Sequence, residues 1–301
     1  TMLPVLTFLI GQSLFLLSSA YFTPDFTHWL DVHNGKSARQ WLERGDLHNN
    51  GSFGGRYSSN EKIHRNAVVF VHGVSWTAGS MMKGMTDYYK TRGYTNAELY
   101  GTTYDNPSND PGRWMKYTMK CEHVKRIRSL ISAVHDYTKR RVDVVAFSLG
   151  VPISRKAILG GKCVDSGFQL GKRFTSKIGT FVGVAGPNKG VAPVVGGTPF
   201  ALCALSPFLP VCNPVDGLFS GMCPTKSKFL NDINRHKRYE GRRIFTIGSK
   251  KDEVVGHKIC GEVTTRIAGQ NGEKISASRK HDNSFFHSAD TQIAMLAGQS
   301  F

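Results

Sequence analysis

VDVVAFSLGVPISRKAILGG, residues 142–161, joins a strand pattern directly to a helix pattern. It begins with an apolar, β-branched run that predicts a buried strand, and it ends in Gly160-Gly161, which is typical of a helix end. Between these elements Ser148 stands at a turn, and Pro152 lies in the first turn of the helix, where a missing N–H is tolerated. The pattern is either an ordinary strand-to-helix connection or a nucleophile elbow.

The neighbours of Ser148 favour the nucleophile elbow. This motif usually reads Gly-x-Ser-x-Gly; here Ala146 takes the first glycine position and Gly150 keeps the second. Small side chains are needed because the strand and the helix approach so closely that larger groups would collide. The serine then lies at a helix N-terminus, where backbone N–H groups and the helix dipole stabilise negative charge. We therefore predict that Ser148 is a nucleophile.

A nucleophilic serine needs a base to accept its proton and an acid to orient that base. In this arrangement the acid and then the histidine follow the serine along the chain. Asp252 comes just after a predicted strand, RRIFTIGS (242–249), and is the predicted acid. Asp216 is the alternative, and we expect Glu253 to be a solvated surface charge.

Three histidines follow Asp252, and one of them must be the base. His257 is only five residues away on the same loop, which leaves little room for a serine between the two side chains. His281 precedes the last predicted helix, FFHSADTQIAML, and a base on the loop before that helix can reach the serine. His287, at the helix start, stays open as the alternative because geometry sets the roles in a triad.

The attacked carbonyl needs two N–H donors for its developing negative charge. One is the amide after the nucleophile, that of Leu149. The other belongs to the loop after the first core strand, VHGVSW (71–76), where Val74 follows His72-Gly73. Gly73 lets the backbone approach closely. We expect His72 to hold this loop by hydrogen bonding and not to act as a second base.

Strands and helices alternate along the chain outward from this motif. Apolar runs bounded by turn residues predict further strands within NAVVFVHG, NAELYGTTY and IGTFVGVAG. The segment MMKGMTDYYKTRG (81–93) predicts a helix that ends at Gly93. Such alternation predicts an α/β fold with a mostly parallel sheet and helices on both faces. Catalytic groups of such sheets lie beyond the carboxyl ends of the strands.

A second helix is predicted over residues 121–141, CEHVKRIRSLISAVHDYTKRR. Its apolar residues recur at helical spacing and form one face. We expect Lys125, Arg126 and Arg128 to point away from that face toward water.

Two segments lie outside the alternation, within a predicted single domain over residues 21–301. Residues 21–62 are polar with little periodicity, and we predict an N-terminal extension that wraps the core. Residues 191–225 are rich in cysteine and proline, without a helical or strand period. A loop of this length is usually functional, which favours a lid over the active site. The alternative is a structural excursion from the fold that is held by disulfides.

The charge of the chain bears on its partners. Its 301 residues include 39 Lys+Arg and 22 Asp+Glu, a net charge of +17. This favours an anionic partner such as a negatively charged lipid surface. The basic residues are scattered, without an arginine-rich arm, zinc-finger spacing or RNA-binding signature, so we do not expect nucleic acid as a partner.

The N-terminus predicts a secretory signal peptide over residues 1–20. These residues carry no charge, are mostly apolar and end in Ser18-Ser19-Ala20, the small residues that signal peptidase requires. An uncleaved anchor is the alternative, because about 18 apolar residues can span a bilayer. Cleavage would leave a secreted protein that begins near Tyr21.

The number and the positions of the cysteines are consistent with the predicted secretion. All six lie beyond the predicted signal peptide, and an even count predicts three disulfides whose pairing the sequence leaves open. No Cys-x-x-Cys pair occurs, so we do not expect a structural zinc site. Asn50-Gly51-Ser52 is an N-glycosylation sequon.

Taken in order, VVFVHGV, VDVVAFSLG, TFVGVAGPNKG, IFTIGSKKDEVV and KHDNSFF resemble the class 2 lipases. These are secreted α/β-hydrolases that include small bacterial enzymes with an A-x-S-x-G elbow. The resemblance runs from Ala67 to Ala297, and the cysteine-rich, extended form is similar to the nematode branch. It implies hydrolysis of carboxylic esters in acylglycerols, without a cofactor or a metal.

The resemblance also implies a role for each matching residue. The nucleophile corresponds to Ser148, the acid to Asp252 and the base to His281, and the oxyanion amides to those of Val74 and Leu149. The family elbow usually has a histidine where Phe147 stands here. The small bacterial members lack the insertion over 191–225, so the resemblance implies nothing about a lid or about acyl chain length.

The sequence supports three hypotheses about function. The first is a secreted serine esterase or lipase that takes part in lipid catabolism. The second is a catalytically idle lipid-binding or interaction protein that keeps the fold. The third is another acyl-transfer enzyme, such as a thioesterase, peptidase or acyltransferase, with the same triad. A serine, an aspartate and a histidine in the expected order favour the first over the second.

Overall fold

A computed structural model describes residues 21–301 except 109, 111, 201, 207 and 220–222. The predicted signal peptide over residues 1–20 lies outside the described residues. None of the helices in the described part combines the length and the hydropathy needed to cross a membrane.

A seven-stranded sheet forms the centre of the fold. Within the described residues, the strands are β1 (Ser52–Phe53), β2 (Ala67–Val71), β3 (Leu99–Thr102), β4 (Val142–Phe147), β5 (Ile178–Val184), β6 (Val194–Val195), β7 (Thr198–Pro199), β8 (Arg243–Ser249), β9 (Lys258–Ile259), β10 (Glu262–Val263) and β11 (Gly272–Ser276). The central sheet has the order β1-β3-β2-β4-β5-β8-β11. Among the described strands of this central sheet, only β1 runs antiparallel to its neighbour. The predicted mostly parallel sheet is confirmed.

Helices cover both faces of this sheet. The α-helices of the described residues are α1 (Pro24–Asn34), α2 (Lys36–Glu43), α3 (Lys83–Thr91), α4 (Cys121–Thr138), α5 (Gly150–Leu159), α6 (Leu202–Leu205), α7 (Lys228–Asn234), α8 (His281–Phe286) and α9 (Ala289–Ala297). A π-helical turn, Ala78–Met82, leads into α3, and short 3-10 turns lie at Gly45–Asn50, Asn96–Glu98, Arg113–Lys116, Thr175–Lys177 and Pro210–Cys212.

Side chains that alternate along the strands divide the core in two. Val69 and Val71 of β2 pack in a cluster with α4 and α5, whereas Val68 and Phe70 pack with α3 and α9. Strands buried on both faces favour apolar residues at nearly every position, which is why β2 reads AVVFV without a polar residue. The prediction of helices on both faces is confirmed.

The expectation that the cations of α4 point toward water is wrong. Arg126 and Arg128 are only 6% and 9% exposed, and Lys125 is half-buried. The Arg126 guanidinium lies 4.8 Å from the ring centroid of Trp41, and that of Arg128 lies 3.6 Å from that of Phe174. Both guanidinium groups also donate to backbone carbonyls. A planar guanidinium can be buried when it stacks on an aromatic ring and its donors find acceptors.

The N-terminal segment 21–62 contains two helices that its weak periodicity does not predict. The Thr23 hydroxyl caps α1 by accepting a hydrogen bond from the Phe26 amide at 3.4 Å, and Pro24 occupies the first turn. Phe26 and Leu30 are buried in the same core cluster as α4. β1 then pairs with β3 at the edge of the sheet.

Three disulfides join the six cysteines, as predicted. Each cysteine pairs with the next along the chain: Cys121–Cys163, Cys203–Cys212 and Cys223–Cys260. The second closes a small loop inside the insertion 191–225, and the third joins the end of the insertion to the loop that holds β9 and β10. One disulfide therefore ties the insertion to the rest of the fold and one lies within it, a feature that both the lid and the excursion hypotheses allow.

Candidate active site

Ser148 lies at the turn between β4 and α5. Its φ of 51° is in the left-handed region, which residues other than glycine rarely adopt. The Ser148 amide donates to the Val184 carbonyl of the neighbouring strand at 2.9 Å, and the Val151 amide donates to the Ser148 carbonyl at 3.0 Å. These contacts hold the serine in a strained strand–turn–helix connection, which is the geometry of a nucleophile elbow.

Close backbone packing explains the small residues around Ser148. A Cβ atom at Gly150 would lie 2.4 Å from the carbonyl oxygen of His72, and one at Gly73 would lie 2.9 Å from the Ser148 Cβ. Ala146 has no exposed surface. The loop after β2 thus lies directly against the elbow, and larger side chains at these positions would force the loop and the elbow apart.

The three predicted triad residues meet at the carboxyl edge of the sheet. Nε2 of His281 lies 2.9 Å from Oγ of Ser148, and Nδ1 lies 2.8 Å from Oδ2 of Asp252. The other Asp252 oxygen accepts hydrogen bonds from the amides of Val254 and Val255 at 3.0 and 2.9 Å. A neutral imidazole that donates from Nδ1 to the carboxylate has Nε2 free to accept the serine proton.

The environment of Asp252 keeps its carboxylate ionised. Burial opposes the charged form, but the hydrogen bond and charge of His281 and the two backbone amides outweigh it, so the pKa of Asp252 lies below its ordinary value. An ionised carboxylate can orient the imidazole and stabilise the imidazolium that forms when the serine proton is transferred.

The two amides predicted to bind an oxyanion belong to residues in or next to the elbow. Val74 follows Gly73 in the loop that touches the elbow, and Leu149 follows Ser148. Among the described residues, neither the Val74 nor the Leu149 amide has a hydrogen-bond acceptor. N–H groups without a partner next to a nucleophilic serine can donate hydrogen bonds to the oxyanion of a tetrahedral intermediate, so these amides remain the predicted donors.

His72 fixes the loop that carries Val74. Its Nδ1 donates to the Gly73 carbonyl at 2.7 Å, and its Nε2 accepts from the Tyr104 amide at 3.1 Å. Burial lowers the pKa of His72 to about 4, so the ring is neutral at pH 7. Both ring nitrogens are thus used in holding the loop.

The family model described as "Lipase (class 2)" matches residues 65–294. This chain belongs to the class 2 lipase family. None of the curated proteins compared with it matches. The proposed nematode branch of this class 2 lipase stays a prediction.

Solved structures show the fold of this class 2 lipase. A truncated carbohydrate esterase from gut microbiota is 14% identical, with a TM-score of 0.52 over 80% of this chain and 87% of that chain. A Bacillus licheniformis lipase in its propeptide form is also 14% identical, with a TM-score of 0.51 over 83% of this chain and 54% of that chain. The α/β-hydrolase fold implied by the resemblance is confirmed.

Coverage differs among the matching lipases. An Aspergillus fumigatus lipase B matches at 14% identity and a TM-score of 0.47, over 75% of this chain and 47% of that chain. This class 2 lipase therefore spans about half of the length of that lipase and of the Bacillus licheniformis propeptide form.

The alternative site residues of this class 2 lipase lie elsewhere. His287 is exposed at the end of α8, and His257 is half-buried in the loop before β9. Within the described part of the chain, neither forms a hydrogen bond to Ser148. Asp216 lies in the insertion, where its carbonyl accepts from the Met119 amide at 2.8 Å.

The prediction that Glu253 is a solvated surface charge is wrong. The side chain is half-buried, and its Oε2 accepts a hydrogen bond from the backbone amide of His281 at 3.1 Å. His281 is the first residue of α8 and does not lie on the predicted loop before that helix. Its amide is therefore one of the N–H groups that a helix leaves without an internal partner. Glu253 thus positions the backbone of the candidate base.

Sequence reasoning also missed the role of Phe147. Its ring centroid lies 4.9 Å from that of His281, 4.6 Å from that of Trp76 and 5.1 Å from that of Phe285. Trp76 in turn stacks on Phe286, which is 37% exposed. Phe147 thus supports the imidazole from the side, and the outer aromatic rings form an apolar wall beside the serine. The available signal was the large aromatic side chain between two small residues in AFSLG.

One group of side chains has the spacing of a metal site. Ligand atoms of Cys121, Cys163 and Asp165 lie within 4.8 Å of one another. Both sulfurs are joined in a disulfide, so only the Asp165 carboxylate could bind a metal.

Proposed function

We propose that this class 2 lipase is a carboxylic ester hydrolase that acts on acylglycerols through an acyl-enzyme at Ser148. The observation that carries the proposal is the pair of hydrogen bonds that links Ser148, His281 and Asp252, at 2.9 and 2.8 Å. A serine with this pair of partners can lose its proton as it attacks a carbonyl.

The proposed reaction has two halves. Oγ of Ser148 attacks the ester carbonyl carbon while its proton passes to Nε2 of His281, and the amides of Val74 and Leu149 hold the oxyanion. The carbon–oxygen bond to the alcohol then breaks, and the imidazolium gives its proton to the leaving oxygen. In the second half His281 takes a proton from water, the hydroxide attacks the acyl carbon, and the carboxylic acid leaves as Ser148 regains a proton.

The insertion supports a lipid substrate. Residues 190–215 contain no charged side chain, and they begin against the acid loop, where the Val194 amide donates to the Glu253 carbonyl at 3.0 Å. Val195, Leu205 and Phe208 are 65%, 68% and 95% exposed. Exposed apolar side chains on an uncharged segment beside the catalytic edge fit contact with a lipid surface.

Secretion and a role in lipid catabolism belong to the same proposal. The three disulfides support an oxidising compartment. Asn50 of the glycosylation sequon is exposed, as an acceptor must be.

The experiment compares hydrolysis of emulsified triacylglycerols and of soluble p-nitrophenyl esters of increasing chain length. The wild-type chain should hydrolyse both classes, and Ser148→Ala should hydrolyse neither. Turnover of thioesters or peptides without turnover of oxygen esters would favour another acyl-transfer enzyme. Binding of lipid without any turnover would favour the idle protein.

A further inference from the structure

Two cavities lined by lysine and arginine lie at the edge of the sheet that is opposite the triad. Ser148 and Asp252 follow the carboxyl ends of β4 and β8, whereas Arg141 and Arg242 immediately precede the same two strands. α5 begins beside Ser148 and runs back toward the amino edge. Its ten residues at about 1.5 Å each place its end about 15 Å from the serine.

A cavity of about 530 Å³ lies at this far end of α5. It lies between the end of α5, the segment 171–173 and α7. Five of its lining side chains are lysine or arginine: Lys162, Lys172, Arg173, Lys228 and Arg235. All five are exposed, so their charges face the solvent that fills the cavity.

Little negative charge balances these five cations. Asp232 is the one carboxylate among the described lining residues, and it lies 2.6 Å from the buried Lys156 and 3.7 Å from Arg235. The other four lining cations form no ion pair with a described carboxylate. Partial burial and the nearby arginines lower the pKa of His236, which also lines the cavity, as expected in a positive potential.

A second cavity of about 430 Å³ opens at the same edge. Arg141, Arg242 and Arg243 line it, together with Asn66 and Gly179. Arg141 and Arg242 are exposed and form no ion pair with a described carboxylate. Two separate cation-lined cavities on one edge suit an extended ligand whose negative charges repeat along its length.

We propose that this edge binds a sulfated polysaccharide, whose sulfate groups contact the lysine and arginine side chains of both cavities. The inference rests on the proposed secretion, which the three disulfides support, because sulfated glycans are common polyanions outside the cell. No Phe, Tyr or Trp is found among the described lining residues, so bases of a nucleic acid have no ring on which to stack. A bilayer presents its headgroups on a plane, which fits concave sites less well than a flexible chain does.

The proposed site is independent of the proposed hydrolysis. Because the cavities and Ser148 lie at opposite edges, a bound polysaccharide leaves the catalytic edge open to its substrate. The enzyme could thus be held on a glycan matrix while it turns over esters.

The test measures binding of heparin, a sulfated polysaccharide, to the full chain at several salt concentrations. The triple variant Lys172→Ala, Arg173→Ala, Lys228→Ala should bind heparin at least about tenfold more weakly than the wild type. Its affinity should also depend less steeply on the salt concentration. The matched control Lys36→Ala, Lys62→Ala, Lys274→Ala removes the same charge from exposed residues outside both cavities and should bind as the wild type does. Soluble-ester hydrolysis should be equal with and without heparin.

A second measurement needs no variant. Acetylation of lysines in the wild-type chain should be slowed by heparin at Lys162, Lys172 and Lys228, and not at Lys36, Lys62 or Lys274. Absence of heparin binding at low salt, or equal weakening in the control triple, would overturn the proposal. Tighter binding of duplex DNA or of anionic phospholipid vesicles than of heparin at equal salt would also overturn it and would assign the edge to that other partner.

Discussion

Nε2 of His281 lies 2.9 Å from Oγ of Ser148, although the two residues are 133 positions apart in the chain. The contact depends on two local features. Ser148 is raised by its left-handed backbone at the end of β4, and His281 is placed by the first turn of α8, whose amide is bound by Glu253. We therefore expect activity to be sensitive to groups that hold these two turns.

Replacement of His281 separates the two histidine candidates. His281→Ala should lower kcat by about 10⁴-fold or more, because no other group can take the serine proton. His287→Ala, on the exposed end of the same helix, should keep kcat within about threefold of the wild-type value. Steady-state kinetics on a soluble ester checks both variants. If His287→Ala lost turnover while His281→Ala kept it, His287 would be the base.

A buried ion pair behind the elbow should dominate the stability of α5. Arg155 is 1% exposed and donates to Glu240 at 2.9 Å, to the carbonyl of Ile233 at 2.7 Å, and to the side chains of Asn188 and Asn234 at 3.1 Å. Arg155→Met should lower the free energy of unfolding by about 3–5 kcal/mol, because it leaves the Glu240 carboxylate buried without its counter-ion.

The matched double variant Arg155→Met, Glu240→Gln should lose less than the single one, since no buried charge remains. Chemical denaturation gives both values. A loss of about 1 kcal/mol or less in the single variant would show that the pair matters little.

His72 should make the fold sensitive to mild acid. Its pKa in the folded chain is about 4, below the ordinary 6.5, so the unfolded chain binds the proton more readily. The stabilisation is complete above pH 6.5 and is lost as the pH falls toward 4. Between pH 7 and pH 5 it amounts to about 2 kcal/mol.

The variant His72→Gln, which keeps an acceptor for the Tyr104 amide, should lack this loss. Asp143 titrates in the same range with the opposite sign, because burial raises its pKa to about 6 and protonation favours the folded form. The contribution of His72 is therefore the difference between the pH dependences of the wild type and the variant. Parallel curves for the two proteins would exclude it.

The exposed Phe208 should contribute to contact with lipid. Phe208→Ser should lower the rate on emulsified triacylglycerol about tenfold, because burial of a phenylalanine in an apolar phase is worth about 1.5–3 kcal/mol. Phe168→Ser is the matched control, since Phe168 is 51% exposed but lies beyond the far end of α5. Both variants should hydrolyse soluble esters as the wild type does. If Phe208→Ser and Phe168→Ser hydrolysed emulsified triacylglycerol at the same rate, the insertion would not be the lipid contact.

The strands and the chain order of the predicted triad could be predicted from the sequence because they depend on local sequence patterns. The apolar runs that become β2, β4, β5 and β8 are buried on both faces, so little else could occupy those positions. Ser148 and Asp252 each follow such a strand, and a parallel sheet brings its carboxyl ends together.

Other features depend on contacts between distant segments. Arg126 and Arg128 are charged residues on the expected polar face of α4, and distant segments, among them those that carry Trp41 and Phe174, cover them. Glu253 likewise looks like a surface charge until α8 presents its amide. The disulfide pairing also needs the fold, because cysteine count alone leaves every pairing open. By contrast, the start of α1 had a local signal in Thr23-Pro24 that weak periodicity concealed.

The nucleophilic role of Ser148 can be measured by labelling the native chain with a fluorophosphonate, which reacts with activated serines, and by mapping the modified peptide. We expect stoichiometric labelling at Ser148, none in Ser148→Ala and none in His281→Ala. An unlabelled wild-type chain, or a label that persists in Ser148→Ala, would contradict this role.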